Sequence, residues 1–105
     1  MSDAVIDLCT FPNDQDALRI GSAVVEARLA ACVNVLPAIR SIYRWKGEIE
    51  QADEVLLLIK TTQQAFPALR GRIKELHPYE TPEIIAVPVV DGLAGYLGWI
   101  REQVS

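Results

Sequence analysis

With 105 residues the chain is one domain, long enough to bury a core without disulfide or metal staples. Half of the residues are hydrophobic and 23% are charged, which excludes a disordered chain and fits an ordinary globular one. A net charge of -4 excludes broad binding to nucleic acid, which needs Lys and Arg to neutralise phosphates. The apolar runs Val55–Ile59 and Ile84–Val90 fall far short of the ~20 residues of a membrane-spanning helix.

The chain opens Met1-Ser2-Asp3, with no basic segment ahead of an apolar one, so the expected compartment is the cytosol. Residues Ala4–Thr10 read as a short buried strand, and Phe11-Pro12-Asn13-Asp14 as a turn with helix-capping side chains. Ala17, Ile20, Val24, Ala27 and Ala31 then recur at helical spacing and predict one apolar helix face. Cys32–Leu36 resumes a strand, Pro37 interrupts it, and Ile39–Trp45 continues it. Lys46-Gly47 fits a hairpin turn, since glycine accepts positive φ, and the return strand covers about Glu48–Thr61.

A second helix follows, with Thr62 as its expected cap, Pro67 in its first turn, and Phe66, Leu69, Ile73 and Leu76 on its buried side. The connector His77-Pro78-Tyr79-Glu80-Thr81-Pro82-Glu83 cannot continue that helix, because its prolines fix φ and remove donors. Ile84–Val90 reads as a strand. Asp91-Gly92 is expected to cap a short last helix carrying Tyr96, Leu97, Trp99 and Ile100. The order is βαββαβ plus a tail helix, an α+β, ferredoxin-like sandwich.

Two features exceed what a solitary subunit of that kind needs. Both helices cover one face of the sheet, yet Val55–Ile59 and Ile84–Val87 are apolar on both faces. A strand from Cys32 to Trp45 would also span roughly 45 Å at ~3.3 Å per residue. A domain of this size has a radius of gyration of only ~13 Å. A hairpin projecting at Trp45–Glu48 and a homo-oligomer that covers the second face are therefore expected.

The residues available for chemistry are few. Cys9 and Cys32 have no C-x-x-C spacing and are expected to be reduced. His77, the only histidine, has two readings: a ligand for copper, zinc or nickel, or a polar group at a helix C-terminus bonding its last carbonyls. Cys9, at the end of the first strand, is either a thiol open to a soft metal or a small buried hydrophobe. Glu80 and Glu83 are spaced for an acid–base pair or are solvated carboxylates. Glu48, Glu50, Asp53 and Glu54 on the hairpin either protect an edge and aid solubility, or bind a hard cation weakly or pair with Arg40 and Arg44. No G-x-S-x-G elbow, G-x-G-x-x-G or Walker loop is present, and the chain is read as a non-enzyme.

The strings Leu29-Ala30-Ala31-Cys32-Val33-Asn34, Ser41-Ile42-Tyr43-Arg44-Trp45-Lys46-Gly47, Leu58-Ile59-Lys60-Thr61, His77–Glu83 and Tyr96-Leu97-Gly98-Trp99 closely resemble the CutA divalent-cation tolerance family. The resemblance runs from Val5 to Trp99 with matching order and spacing. It implies a ferredoxin-like subunit in a tight homotrimer, a cytoplasmic role in tolerance of copper and other divalent metals, and copper binding. Cys9 and His77 match positions proposed as copper ligands in some bacterial members. Those members carry a further histidine just before the second position, where this chain has Leu76. The trimer is similar to that of PII-type signalling proteins, which bind small effectors between subunits. On that alternative Trp45, Lys60, His77, Tyr79, Glu80 and Glu83 would line an intersubunit cleft.

Overall fold

The first strand, β1 (Ala4–Phe11), sits in the middle of a four-stranded antiparallel sheet in the computed structural model, which describes residues 2–105. Around it run α1 (Asp14–Glu26), β2 (Cys32–Trp45), β3 (Glu48–Thr62), α2 (Phe66–Leu76), β4 (Ile84–Pro88) and α3 (Ala94–Gln103). The strand order β2-β3-β1-β4 inserts β3 between the two strands that α1 connects, the split βαβ arrangement that the element order predicts.

Asn13 starts α1, its side chain accepting from the Asp16 backbone N–H at 2.8 Å. The apolar stripe of α1 then meets the odd-numbered side chains of the central strands. Cys9, Phe11, Ala17, Ile20, Val24, Val55, Leu57, Ile59, Leu69 and Ile73 form one buried core between the helices and the sheet. The ladder pairs Cys9 with Leu57 and Asp7 with Ile59, so a carboxyl group shares this buried face with hydrocarbon.

Pro67 lies in the first turn of α2, and Thr62 accepts from the Ala65 N–H just before that helix rather than capping its first residue. The last strand ends at Pro88, two residues before the expected Val90, where its partner β1 itself begins. Val89 N–H still donates to the Ala4 carbonyl at 3.0 Å, but Ala4 N–H donates to Ser2 Oγ and not back across the ladder. Asp91 does not cap α3, whose N-cap is Leu93; its Oδ1 accepts from Gly92 N–H instead.

The even-numbered face is the one that the two main helices leave open. The α3 helix covers one end of it through Ala4, Ala31 and Ile100, with Val89, Leu97 and Val104 around them. Beyond that patch Ile6, Leu8, Leu56 and Leu58 are only half-buried, while Ile85 and Val87 are 53% and 41% exposed. The β2–β3 ribbon reaches past this body and makes the longest dimension of the subunit 44 Å, against 25 and 22 Å for the others. Its register shifts between Leu36 and Ile39, where Ala38 takes φ 61° beside Pro37. At the tip Lys46 and Gly47 both have positive φ, as a tight hairpin turn demands. Ile42, Ile49 and Trp45 stand 67%, 62% and 54% exposed on this arm.

Candidate functional site

The connector of residues 77–83 folds over the open end of β1, and its residues gather where the ribbon leaves the sheet. His77 closes α2, its backbone N–H donating to the Ile73 carbonyl at 2.8 Å. The imidazole turns inward, is 8% exposed, and stacks on Phe11 with ring centres 4.5 Å apart. Its Nε2 lies 2.7 Å from the Thr10 carbonyl oxygen, and its Nδ1 lies 3.1 Å from the Tyr79 backbone N. A carbonyl only accepts and an amide N–H only donates. The ring is therefore the neutral tautomer with its proton on Nε2 and its Nδ1 lone pair engaged. Desolvation by burial lowers the imidazole pKa, outweighing the opposing hydrogen bond to Thr10, which keeps the ring in that form.

Cys9 approaches the same oxygen. Its thiol is fully buried and Sγ lies 4.0 Å from the Thr10 carbonyl. Burial, with smaller contributions from Asp7, Glu83 and Glu54, pushes the thiol far above the range in which it ionises. The structure thus brings Cys9 and His77 together, but with both hydrogens directed to one carbonyl. A metal requires a thiolate and a free imidazole lone pair. As folded, the pair does not fit a resident metal ion. Among the described residues no group of three or more His, Cys, Asp or Glu side chains is arranged to hold one.

Tyr79 reaches from the connector to the ribbon. Its hydroxyl donates to Glu54 Oε2 at 2.8 Å, one residue beyond the last β1–β3 pair, Phe11 with Val55. Burial and this bond to a carboxylate hold the phenol well above its ordinary range. Glu80 is exposed. Glu83 is exposed too, yet partial desolvation and the Glu54 charge push its carboxyl upward.

The other candidate cleft residues lie elsewhere in the subunit. Lys60 is six residues from Glu54 along β3, roughly 20 Å at ~3.3 Å per residue. Its ammonium lies 3.3 Å from the Tyr96 hydroxyl on the open face, at the α3 end. Trp45 pairs with Glu48, about as far in the opposite direction. One subunit therefore assembles Tyr79 and Glu83 beside Glu54, with Lys60 and Trp45 well apart from them.

Two residues take up roles here that the sequence did not suggest for them. Glu54, grouped there with the solvated acids of the hairpin, is only 9% exposed and receives Tyr79. Asp7 is fully buried and neither carboxylate oxygen has a hydrogen-bond partner among the described residues. Burial first, then the charge of Glu83, raises its pKa to about 7. An acid within the apolar run Ala4–Phe11 was the available signal for it.

Comparison with known proteins places these features in one family. The model of the CutA1 divalent ion tolerance protein matches residues 5–103. The divalent-cation tolerance protein CutA of Thermus thermophilus is 54% identical over 96 residues, covering 91% of this chain and 93% of that protein. Protein CutA of Homo sapiens is 53% identical over 93 residues, but the chain spans only about half (52%) of the human protein. The Thermus thermophilus structure superposes with a TM-score of 0.95 at 50% identity, over 97% of this chain and 99% of that one. CutA from Xylella fastidiosa does so with a TM-score of 0.97 at 44% identity, over 99% and 100%. The chain belongs to the CutA1 divalent ion tolerance family.

Proposed function

We propose that this chain is a non-enzymatic, cytoplasmic subunit that acts in tolerance of divalent cations, copper among them, as a homotrimer. Family membership supports the tolerance role. The observation that carries the assembly is the open sheet face: Ile85 and Val87 are exposed beside Leu8, Leu56 and Leu58, and an arm bearing exposed Ile42, Trp45 and Ile49 leaves the body at the β2–β3 side. Contiguous exposed hydrocarbon of this kind marks an association surface. Identical subunits close into a ring when one surface docks on a different one, and the open face and the projecting arm supply two such surfaces. The proposed copper response does not depend on a resident metal at Cys9 and His77. The test is growth in copper-supplemented medium of cells lacking the protein, complemented by the wild-type chain or by Ile85→Lys. Complementation by wild type and its loss in the variant supports the reading; equal growth of complemented and uncomplemented cells overturns it.

A second reading is favoured by the Tyr79–Glu54 contact at the root of the arm. On it the trimer binds a small effector in a cleft between subunits, where a neighbour's arm brings Trp45 against Tyr79, Glu80 and Glu83. Lys60 then lines the same seam from the other end. A thermal-shift screen of nucleotides, amino acids and small anions, read alongside tryptophan fluorescence, tests this. A ligand that raises the midpoint and alters Trp45 emission supports it, and a screen with no such ligand counts against it.

A further inference from the structure

We infer that His77 works as a neutral two-way clamp that positions the connector of residues 77–83, and not as a metal ligand. The imidazole bonds both neighbours at this corner. Nε2–H donates to the Thr10 carbonyl, which belongs to β1, and Nδ1 accepts from the Tyr79 N–H, two residues ahead on the connector. The Phe11 ring below fixes the imidazole plane and the Tyr79 ring flanks it at 4.9 Å. With that plane fixed, the two nitrogens hold the connector at one angle to the strand. Tyr79 then reaches Glu54, so the clamp also sets where the ribbon is tied to the body.

The same contacts account for the failed fit to a metal. A cation at Nδ1 would leave the Tyr79 N–H without an acceptor, and a cation at Nε2 would displace the proton held by Thr10. A buried donor or acceptor stripped of its partner is costly, so either event opposes binding. Leu76, which precedes His77, is partly buried against the helix-side core and supplies no alternative ligand. His77 is therefore a positioning residue, acting through Tyr79 and Thr10.

The experiment uses the full chain labelled with 15N at histidine, with Cu(I) added anaerobically at one equivalent per subunit. A long-range 1H–15N spectrum is expected to show one neutral tautomer protonated at Nε2 and to stay unchanged on adding the metal. Loss or displacement of either ring-nitrogen signal at stoichiometric copper would overturn the inference, whether or not any variant folds. Three variants then separate the two bonds. Asparagine can accept from an N–H two residues on, as in an Asx turn, and glutamine can reach Thr10 as a donor. Exchange of the Tyr79 amide is expected to be at least about tenfold faster in His77→Ala and His77→Gln than in His77→Asn. Equal exchange in all three would contradict the clamp. Cu(I) affinity in chelator competition is expected to remain within about twofold of wild type in all three, whereas a uniform tenfold loss would restore His77 as a ligand.

Discussion

Tyr79 and Glu54 are joined at 2.8 Å across the corner where the connector meets the projecting ribbon. The bond links residues 25 apart in sequence, one from a proline-bounded loop and one from the root of the arm. It leaves Glu54 only 9% exposed while satisfying an oxygen that burial would otherwise strip of water.

Replacing Tyr79 by Phe keeps the ring against His77 and removes only the hydroxyl. A half-buried bond to a carboxylate is worth about 1–2 kcal/mol, and its loss leaves Glu54 short of a donor. Urea denaturation of Tyr79→Phe should show a loss of that size with an unchanged slope. A stability equal to wild type would mean that the contact contributes nothing in solution.

Asp7 gives the fold a pH dependence of definite sign. Its folded pKa of about 7 lies above the ordinary 3.8, so the folded chain holds a proton that the unfolded chain releases. Stability from this group is complete below about pH 4, falls as pH rises from about 4 to 7, and is level above that. The groups around it reinforce the effect, since Cys9 and Ile59 share its face and Glu83 is its charged neighbour. Asp7→Val should remove the slope and stabilise the protein by on the order of 3–4 kcal/mol at pH 8, and by much less at pH 4.5. Melting curves at the two pH values check this. Parallel curves for wild type and variant would show that Asp7 does not titrate in that window.

Ala38 stores strain in the ribbon. With φ at 61° its Cβ crowds the following carbonyl, a conformation that costs an alanine ~1–2 kcal/mol. Part of that is offset by the greater unfolded freedom of glycine. Ala38→Gly is therefore expected to raise stability by about 0.5–1 kcal/mol in denaturant titrations. A decrease would show that the register shift between Leu36 and Ile39 does not need this geometry.

Much of the fold was legible because period and punctuation agree along this chain. Ala17, Ile20 and Val24 mark α1, although the stripe does not run on to Ala27 and Ala31 as expected, since the helix ends at Glu26 and Ala31 packs with Ile100. Pro67 marks the start of α2, and Lys46-Gly47 marks the hairpin tip. The length of the ribbon followed from residue count alone. The site was less legible, since it depends on which end of a strand a residue reaches. Lys60 and Glu54 lie on the same strand yet face different surroundings about 20 Å apart, which composition does not encode. The tautomer of His77 was equally hidden, because it is set by the Thr10 carbonyl 67 residues earlier. Asp7 went unremarked as one acid in an apolar strand, although strand alternation with Cys9 and Phe11 put it on the buried face.

An open apolar face and an arm that makes the subunit 44 Å long are what the proposed homotrimer would cover. Multi-angle light scattering on the eluting protein measures this directly. The predicted mass is three times that of the 11.6 kDa subunit, unchanged on dilution to low micromolar concentration. A stable species of 11.6 kDa would leave Ile85, Val87 and the arm in water and contradict the account.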